Sequence, residues 1–212
     1  HRKDIVMIGF YNYTVILTYI GLMFSVLGIM ETLHGHWKLA ILFLVFSGAC
    51  DMFDGKIARS KKDRTEEEKR FGIQIDSLCD LICFGVFPAL IGYSLGLYQL
   101  WERMVLVLYV MAAVIRLGYF NVMEEKRQTE TSECRKFYQG LPVTSSAIIF
   151  PVVFLCKGWI GPEYFRFVYL GVLAIVGILF IGDFKVVKPG NKAILAFVVV
   201  GTIIILKILR VF

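Results

Sequence analysis

The sequence has few of the residues that build a cross-linked or zinc-stapled fold. Its five cysteines are an odd number and include no Cys-x-x-Cys pair; they are Cys50, Cys79, Cys83, Cys134 and Cys156. This pattern argues against a disulfide framework and against a structural zinc site, so each cysteine is interpreted as a small apolar residue. The sequence also lacks an internal repeat, whereas inverted repeats are common in secondary transporters.

Apolar residues dominate the composition. Of the 212 residues, 58% are apolar and the mean hydropathy is +0.70, whereas a soluble domain reaches only about 45–50% apolar on a similar count. A net charge of +6 can indicate nucleic-acid binding in a soluble protein. Here the basic residues lie in loops between apolar segments, so we expect no nucleic-acid partner.

Seven apolar segments follow one another along the chain, and each is near the roughly 20 residues that cross a bilayer core. They are Tyr11–Glu31, Trp37–Ser60, Phe71–Leu95, Trp101–Met123, Leu141–Trp159, Tyr164–Ile181 and Lys192–Leu209. The chain length suits one domain. The sequence therefore predicts an all-α integral membrane protein, a bundle of six to seven transmembrane helices that forms a single domain over residues 1–212.

The distribution of Lys and Arg predicts how this bundle is oriented. With the N-terminus in the cytoplasm, fourteen Lys and Arg residues fall on the inner side and six at the outer ends of the segments. This bias follows the positive-inside rule and assigns the loops Lys61–Arg70 and Glu124–Tyr138 to the cytoplasm. We therefore expect a multi-pass protein of the cell (plasma) membrane.

The second and third segments carry acidic residues that lipid disfavours. Positions i, i+3, i+4, i+7 and i+8 share one helix face, and in the second segment they are Asp51, Asp54, Gly55, Ala58 and Arg59. Positions i, i+4 and i+8 form one stripe of the third segment; they are Gly72, Asp76 and Asp80. A short loop joins the two segments, so they run antiparallel and their acidic stripes can face each other.

Four carboxylates at this depth need compensation, because each costs roughly 3 kcal/mol at mid-membrane. Carboxylate oxygens suit Mg²⁺, Mn²⁺ or Ca²⁺. Four of them can hold two ions about 3.5–4 Å apart, the arrangement used for displacement at phosphorus. The alternatives are buried ion pairs and a path for protons or cations. The small residues Gly55, Ala58 and Gly72 fit either a bound group close to the backbone or close helix packing.

The spacing Asp51-x2-Asp54-Gly55-x2-Ala58-Arg59-x12-Gly72-x3-Asp76-x3-Asp80 resembles the signature of the CDP-alcohol phosphotransferase family. The resemblance covers residues 51–80, and the other apolar segments agree with it in character. It implies that residues 1–212 form one membrane domain of this family, with an active site that lies inside the bilayer and faces the cytoplasm.

The resemblance also implies roles for the signature residues. Asp51, Asp54 and Asp76 are expected to hold two Mg²⁺ or Mn²⁺ ions per site, and Asp80 to complete this metal site and act as general base. The CDP group is expected to contact Asp54, Gly55, Ala58, Arg59 and Gly72. Members of the family are commonly homodimers, so a homodimer among membrane lipids is expected.

Three further stretches resemble the members of the family that use L-serine: residues 76–89, 116–121 and 138–142. The implied reaction transfers a phosphatidyl group from CDP-diacylglycerol to the serine hydroxyl and gives phosphatidylserine and CMP. The carboxylate of serine needs a cation and its ammonium needs an acceptor. Arg116 is expected either to bind that carboxylate or to pair with an aspartate. Asn121 and Gln139 are candidates to bond serine, or else to satisfy loop backbone.

Two other functions compete with serine transfer. A sister enzyme that uses glycerol 3-phosphate or inositol phosphate would need several cations near Asp80, and Arg116 is the one cation that we expect within a helix there. A cation transporter could use the acidic cluster, but it would not need the glycine and alanine positions beside the acids. The sequence therefore favours the serine enzyme.

Overall fold

The structure is a computed structural model that describes residues 9–11, 13–61, 65–130, 137–187 and 191–208. In the first half of the chain the elements are α1 (Tyr13–Leu33), α2 (Trp37–Ser60), α3 (Glu66–Asp80), a π-helical segment (Leu81–Val86), α4 (Phe87–Ser94) and α5 (Leu100–Glu130). The second half contains β1 (Phe137–Gln139), a 3-10 turn (Val143–Ser145), α6 (Ser146–Leu155), α7 (Lys157–Ile160), α8 (Pro162–Ile181), β2 (Lys185–Val187) and α9 (Asn191–Ile208).

Within the described residues, five helical stretches are long and apolar enough to cross a membrane. They are Val15–Leu33, Glu66–Ser94, Leu100–Lys126, Val143–Ile160 and Glu163–Ile181. Helix α2 is not among the five, although it has 24 residues, and it carries the charged residues Lys38, Asp51 and Asp54. The predicted all-α membrane fold is confirmed.

Two of the predicted loops are partly helical. Residues 66–70, which we expected in a loop, form the first turn of α3. Thr65 caps this turn with a capping box, because its Oγ1 accepts from the Glu68 N–H at 3.1 Å and a Glu68 carboxylate oxygen accepts from the Thr65 N–H at 3.2 Å. Helix α5 likewise continues to Glu130, beyond the predicted end at Met123. Hydropathy predicts which part of a helix contacts lipid, whereas the capping hydrogen bonds determine where the helix begins and ends.

A short β-ribbon departs from the purely helical expectation. Strand β1 pairs with β2 in antiparallel register, with Gln139 opposite Lys185. The ribbon therefore links the connection that follows α5 to the connection that follows α8.

The link between these connections continues past the ribbon. The Gly140 N–H donates to the Phe184 carbonyl at 2.7 Å, and the Leu141 N–H donates to the Leu179 carbonyl at 3.0 Å. Gly140 has a φ of +69°, and a Cβ there would lie 2.8 Å from the Gly182 carbonyl oxygen. Only glycine tolerates both the positive φ and the missing space.

Small residues let the helices approach closely at two places near the acidic stripes. A Cβ on Gly48 of α2 would lie 2.3 Å from the Cβ of Ala147 on α6, and a Cβ on Gly85 would lie 3.1 Å from that of Ala113 on α5. Such contacts favour helix association in a membrane because backbones come within van der Waals range. They fix α2, the π segment, α5 and α6 as one packed group.

We expect Gly48→Ala to destabilise the protein by about 1–3 kcal/mol, because its methyl group would overlap Ala147 and the backbone would have to shift. Thermal unfolding in detergent measures this. The matched control is Gly171→Ala on α8, where a Cβ would meet nothing within 4 Å. Equal unfolding temperatures for the two variants would contradict the assignment of this contact.

Candidate functional site

Three carboxylates from two helices converge inside the bundle. Asp51 comes from α2, and Asp76 and Asp80 come from α3; each contributes one oxygen to a group whose members lie within 4.8 Å of one another. The carboxyl groups of Asp51 and Asp80 lie side by side in this group. The two stripes predicted from spacing thus meet at these residues.

Asp54 joins this group from the side. Its carboxyl group is close enough to that of Asp76 for the two to interact electrostatically, and its Oδ2 accepts from Thr18 Oγ1 of α1 at 3.1 Å. Asp54 is 7% exposed and Asp80 is 9% exposed. We call Asp51, Asp54, Asp76 and Asp80 the acidic cluster; α2 and α3 supply its members, and α1 supports it through Thr18.

The chemistry of the acidic cluster fits a hard divalent cation. Carboxylates this close together need a proton or a cation between them, because like charges repel. The donor set consists of carboxylate oxygens, which suit Mg²⁺ and Mn²⁺. The four side chains are therefore able to hold such ions.

An ion pair and a helix cap fix the turn that brings α2 and α3 together. The Lys61 Nζ donates to both carboxylate oxygens of Glu68, at 3.0 and 3.2 Å, and the two side chains are 20% and 16% exposed. Glu68 also belongs to the capping box of Thr65. The end of α2 is thereby bonded to the first turn of α3, which sets the relative height of their acidic stripes.

A second polar group lies deeper than the acidic cluster. The Ser25 Oγ donates to the Ser47 Oγ at 2.9 Å, and the Cys83 thiol lies close to both hydroxyls. All three side chains are buried. Ser47 precedes Asp51 by one helical turn on α2, so polar contacts continue inward from the cluster.

The cysteines that the structure describes form no disulfide. Cys50, Cys79, Cys83 and Cys156 are free thiols, whereas Cys134 lies outside the described residues.

The expected CDP-binding residues are described in part. Gly55 and Gly72 are half-buried on α2 and α3. Ala58 and Arg59 lie on α2, but their side chains fall outside the described part of the structure. Asp54, the remaining member of this set, lies in the acidic cluster.

Arg116 is buried on α5, with 6% of its surface exposed. Its Nε donates to the Leu141 carbonyl at 3.2 Å, and its guanidinium carbon lies 5.9 Å from the centre of the Phe120 ring. The residue thus joins α5 to the segment that leads into α6.

The side-chain amide oxygens of Asn121 and Gln139 each accept a hydrogen bond from another side chain. Asn121 Oδ1 accepts from Ser77 Oγ at 2.7 Å, which ties α5 to the residue after Asp76. Gln139 Oε1 accepts from the Tyr119 hydroxyl at 2.8 Å. Asn121 therefore supports the α3 stripe.

Sequence reasoning missed Thr18 and Ser77. Each is a hydroxyl within an apolar stretch, and each bonds a residue that the sequence had singled out. A polar residue inside a spanning segment indicates that it has a hydrogen-bond partner, but it does not identify that partner on another helix. The spacing rules apply within one helix, so they could not predict these two contacts.

Residues 11–209 match the CDP-alcohol phosphatidyltransferase family, so nearly all of the chain is covered. The chain belongs to this family. The match extends far beyond the acidic signature at residues 51–80, to helices on both sides of it.

Several curated relatives bear the name CDP-diacylglycerol–serine O-phosphatidyltransferase. The Saccharomyces cerevisiae protein is 30% identical over 125 residues, which are 58% of this chain and 44% of the relative. The Helicobacter pylori J99 protein is 30% identical over 169 residues, 75% of this chain and 66% of the relative. The Bacillus subtilis protein is 32% identical over 107 residues, 50% of this chain and 58% of the relative. The chain thus spans about half to two thirds of the length of these relatives.

We expect Thr18→Val to raise the Mn²⁺ concentration that half-saturates the protein by about fivefold, because Asp54 loses a hydrogen bond that orients it. Electron paramagnetic resonance of free Mn²⁺ measures this in detergent. Thr32→Val is the control on the same helix, since the buried Thr32 hydroxyl bonds the Gly28 carbonyl of α1 instead. If both variants bind Mn²⁺ like the parent protein, Thr18 does not orient the cluster.

Proposed function

We propose that the protein transfers a phosphatidyl group from CDP-diacylglycerol to the hydroxyl of L-serine and gives phosphatidylserine and CMP. The observation that carries this proposal is the convergence of Asp51, Asp76 and Asp80 within 4.8 Å inside the bundle. Membership of the family supports the reaction class, and the names of the curated relatives support serine as acceptor.

In this proposal the acidic cluster holds two divalent ions per site, through Asp51, Asp54, Asp76 and Asp80. When bound, Mg²⁺ or Mn²⁺ neutralises negative charge on the pyrophosphate of the lipid substrate. The glycines Gly55 and Gly72 leave room beside the acids for the CMP part of that substrate. Ala58 and Arg59 belong to the same proposed CDP-binding face.

Asp80 is the proposed general base. It is 9% exposed and lies within 4.8 Å of Asp51 and Asp76, where the two acidic stripes meet, so a hydroxyl that enters the cluster is within its reach. Asp80 accepts the proton of the serine hydroxyl, and the serine oxygen bonds the phosphorus that carries diacylglycerol. The bond from that phosphorus to the bridging oxygen breaks, and CMP leaves with the electron pair.

Serine is proposed to bind on the side of the cluster that faces α5. Arg116 is the proposed partner of its carboxylate, because a buried guanidinium is a fixed positive charge whose N–H donors match the geometry of a carboxylate. Asn121 and Gln139 are proposed to complete the acceptor site. Asn121 is bonded to Ser77, so this side of the site adjoins Asp76.

The membrane arrangement that we propose follows the charge bias of the sequence. The stretch Lys61–Arg70 runs from the end of α2 into the first turn of α3, and its basic residues indicate a cytoplasmic location. The cluster would then face the compartment that supplies L-serine and receives CMP. The homodimer expected from the family stays a prediction.

We expect purified protein with Mn²⁺ and CDP-diacylglycerol to release CMP when L-serine is added, and not when glycerol 3-phosphate or an inositol phosphate is added. The reason is that, among the side chains that the structure describes, Arg116 is the one buried guanidinium, and a single guanidinium suits a carboxylate. Chromatography of CMP and of the lipid product measures the reaction.

Each arm of this screen has a definite meaning. Turnover with glycerol 3-phosphate or an inositol phosphate, and none with L-serine, would show that the acceptor is wrong while the family reaction is right. CMP release without any acceptor would indicate hydrolysis instead of transfer.

We expect Asp80→Asn to lower kcat by about two to four orders of magnitude, since general-base catalysis contributes roughly that much. CDP-diacylglycerol binding should change little, because the amide keeps an oxygen in place. The exposed Asp183 lies between α8 and β2, so Asp183→Asn is the control and should retain full turnover. Weakened lipid binding with normal kcat at saturation would contradict the role of base.

A further inference from the structure

The helix changes its hydrogen-bond register directly after Asp80. The Leu81 N–H still donates to the Ser77 carbonyl, which is the α-helical i→i−4 pattern. The Phe87 N–H donates to the Ile82 carbonyl, which is the π-helical i→i−5 pattern. π-helical turns are rare and frequently lie at functional sites. Here the turn begins at the residue that follows the proposed base.

One carbonyl in this segment cannot form its α-helical bond. The donor to the Phe84 carbonyl in an α-helix would be the N–H of residue 88, which is Pro88 and has no N–H. The hydroxyl of Tyr109 donates to this carbonyl at 2.6 Å. A side chain from α5 therefore bonds a carbonyl that the α-helical pattern leaves without a donor.

A second hydroxyl fixes the direction of this bond. The Ser146 Oγ lies 3.0 Å from the Tyr109 hydroxyl oxygen, in buried surroundings. A carbonyl can only accept, so Tyr109 must donate its proton to Phe84 and Ser146 must donate to Tyr109. The chain of bonds runs from α6 through α5 to the π segment.

Tyr109 is held firmly in this position. It is 1% exposed, and its ring centre lies 5.8 Å from that of Phe150 and 5.5 Å from that of Phe180. The missing side chain of Gly177 brings α8 close to the Tyr109 backbone, since a Cβ there would lie 3.4 Å from the Tyr109 Cα. The hydroxyl thus has little freedom to leave the Phe84 carbonyl.

From these contacts we infer that Tyr109, oriented by Ser146, is a positioning residue that holds the π-helical register after Asp80 and so directs the Asp80 carboxyl group toward Asp51. This inference rests on the proposed function, because it assigns Tyr109 an effect on the same acidic cluster. Asp80 is the last residue of α3. If the turn that follows it changed its hydrogen-bond register, Asp80 would rotate about the helix axis. A rotated carboxyl group leaves the cluster with poorer cation ligands and a misplaced base.

The test is Tyr109→Phe, which keeps the ring and its packing and removes only the hydroxyl. We expect the Kd for Mn²⁺ to rise about five- to tenfold and kcat for CMP release to fall by a similar factor, with the KM for CDP-diacylglycerol unchanged. Electron paramagnetic resonance of Mn²⁺ measures the first without any lipid. Amide hydrogen exchange of residues 81–87 should also become faster.

Tyr169→Phe is the matched control. The Tyr169 hydroxyl donates to the Pro88 carbonyl at 3.1 Å, and Tyr169 is as deeply buried as Tyr109. Its bond reaches the same long helix beyond the π segment, in α4. This variant should lose a comparable amount of thermal stability, but it should bind Mn²⁺ and release CMP like the parent protein.

Ser146→Ala gives a second, milder perturbation. It leaves the Tyr109 hydroxyl in place without its donor, so we expect a twofold to threefold rise in the Kd for Mn²⁺. The double variant with Tyr109→Phe should be no worse than Tyr109→Phe alone, because both changes act on one chain of bonds.

Several results would overturn the inference. These are equal Mn²⁺ binding by Tyr109→Phe and Tyr169→Phe, a lower unfolding temperature with unchanged Mn²⁺ affinity and kcat, or additive effects in the double variant. A parent protein that binds Mn²⁺ but releases no CMP with any acceptor would refute the proposed reaction, and the Mn²⁺ titrations would still decide the role of Tyr109. A parent protein that binds no Mn²⁺ would refute both.

Discussion

Repulsion among buried carboxylates is the constraint around which the rest of the structure is arranged. Asp54 and Asp80 are nearly inaccessible, and each carboxylate costs roughly 3 kcal/mol at the centre of a bilayer. The helices hold them together through contacts outside the cluster, above all the Lys61–Glu68 ion pair and the bond from Thr18 to Asp54. A bound cation would offset the negative charge of such a cluster. The contacts that hold the acids together therefore also prepare the site for a reaction that uses cations.

The long helix that carries Asp76 and Asp80 has to satisfy two neighbours. Its α3 part turns the acids toward α2, whereas its α4 part buries Phe87 and Ile91 in the apolar core. In one uninterrupted α-helix, the directions of the α3 and α4 side chains would be fixed relative to each other by the α-helical repeat. The π segment between α3 and α4 rotates one set of side chains about the helix axis relative to the other. Close approach at Gly85 and Ala113 then brings α5 against the point where the register changes.

Much of the fold was predictable because two patterns are local. Apolar length predicted the spanning helices, and the i, i+3, i+4 rule put Asp51 and Asp54 on one face of α2. The π segment, the bond from Thr18 to Asp54 and the β-ribbon were not predictable in this way. Each depends on a partner that is distant in the chain, and a single sequence holds no record of which helices adjoin. Helix ends at Glu66 and Glu130 were missed for another reason, since hydropathy follows lipid contact and not backbone bonding.

The peptide groups around Leu141 have a mechanical consequence. The Leu141 N–H bonds the Leu179 carbonyl near the end of α8, and its own carbonyl bonds Arg116 of α5. Leu141 thereby links two membrane helices through its peptide groups. The backbone of the adjacent Gly140 is tightly packed against carbonyl groups of residues 179–182, so this link has little room to move. A change in the tilt of α8 against α5 would strain the two hydrogen bonds that Leu141 forms. Mismatch with the thickness of the bilayer is one influence on helix tilt, and Leu141 connects that influence to the side of the bundle where the acceptor is proposed to bind.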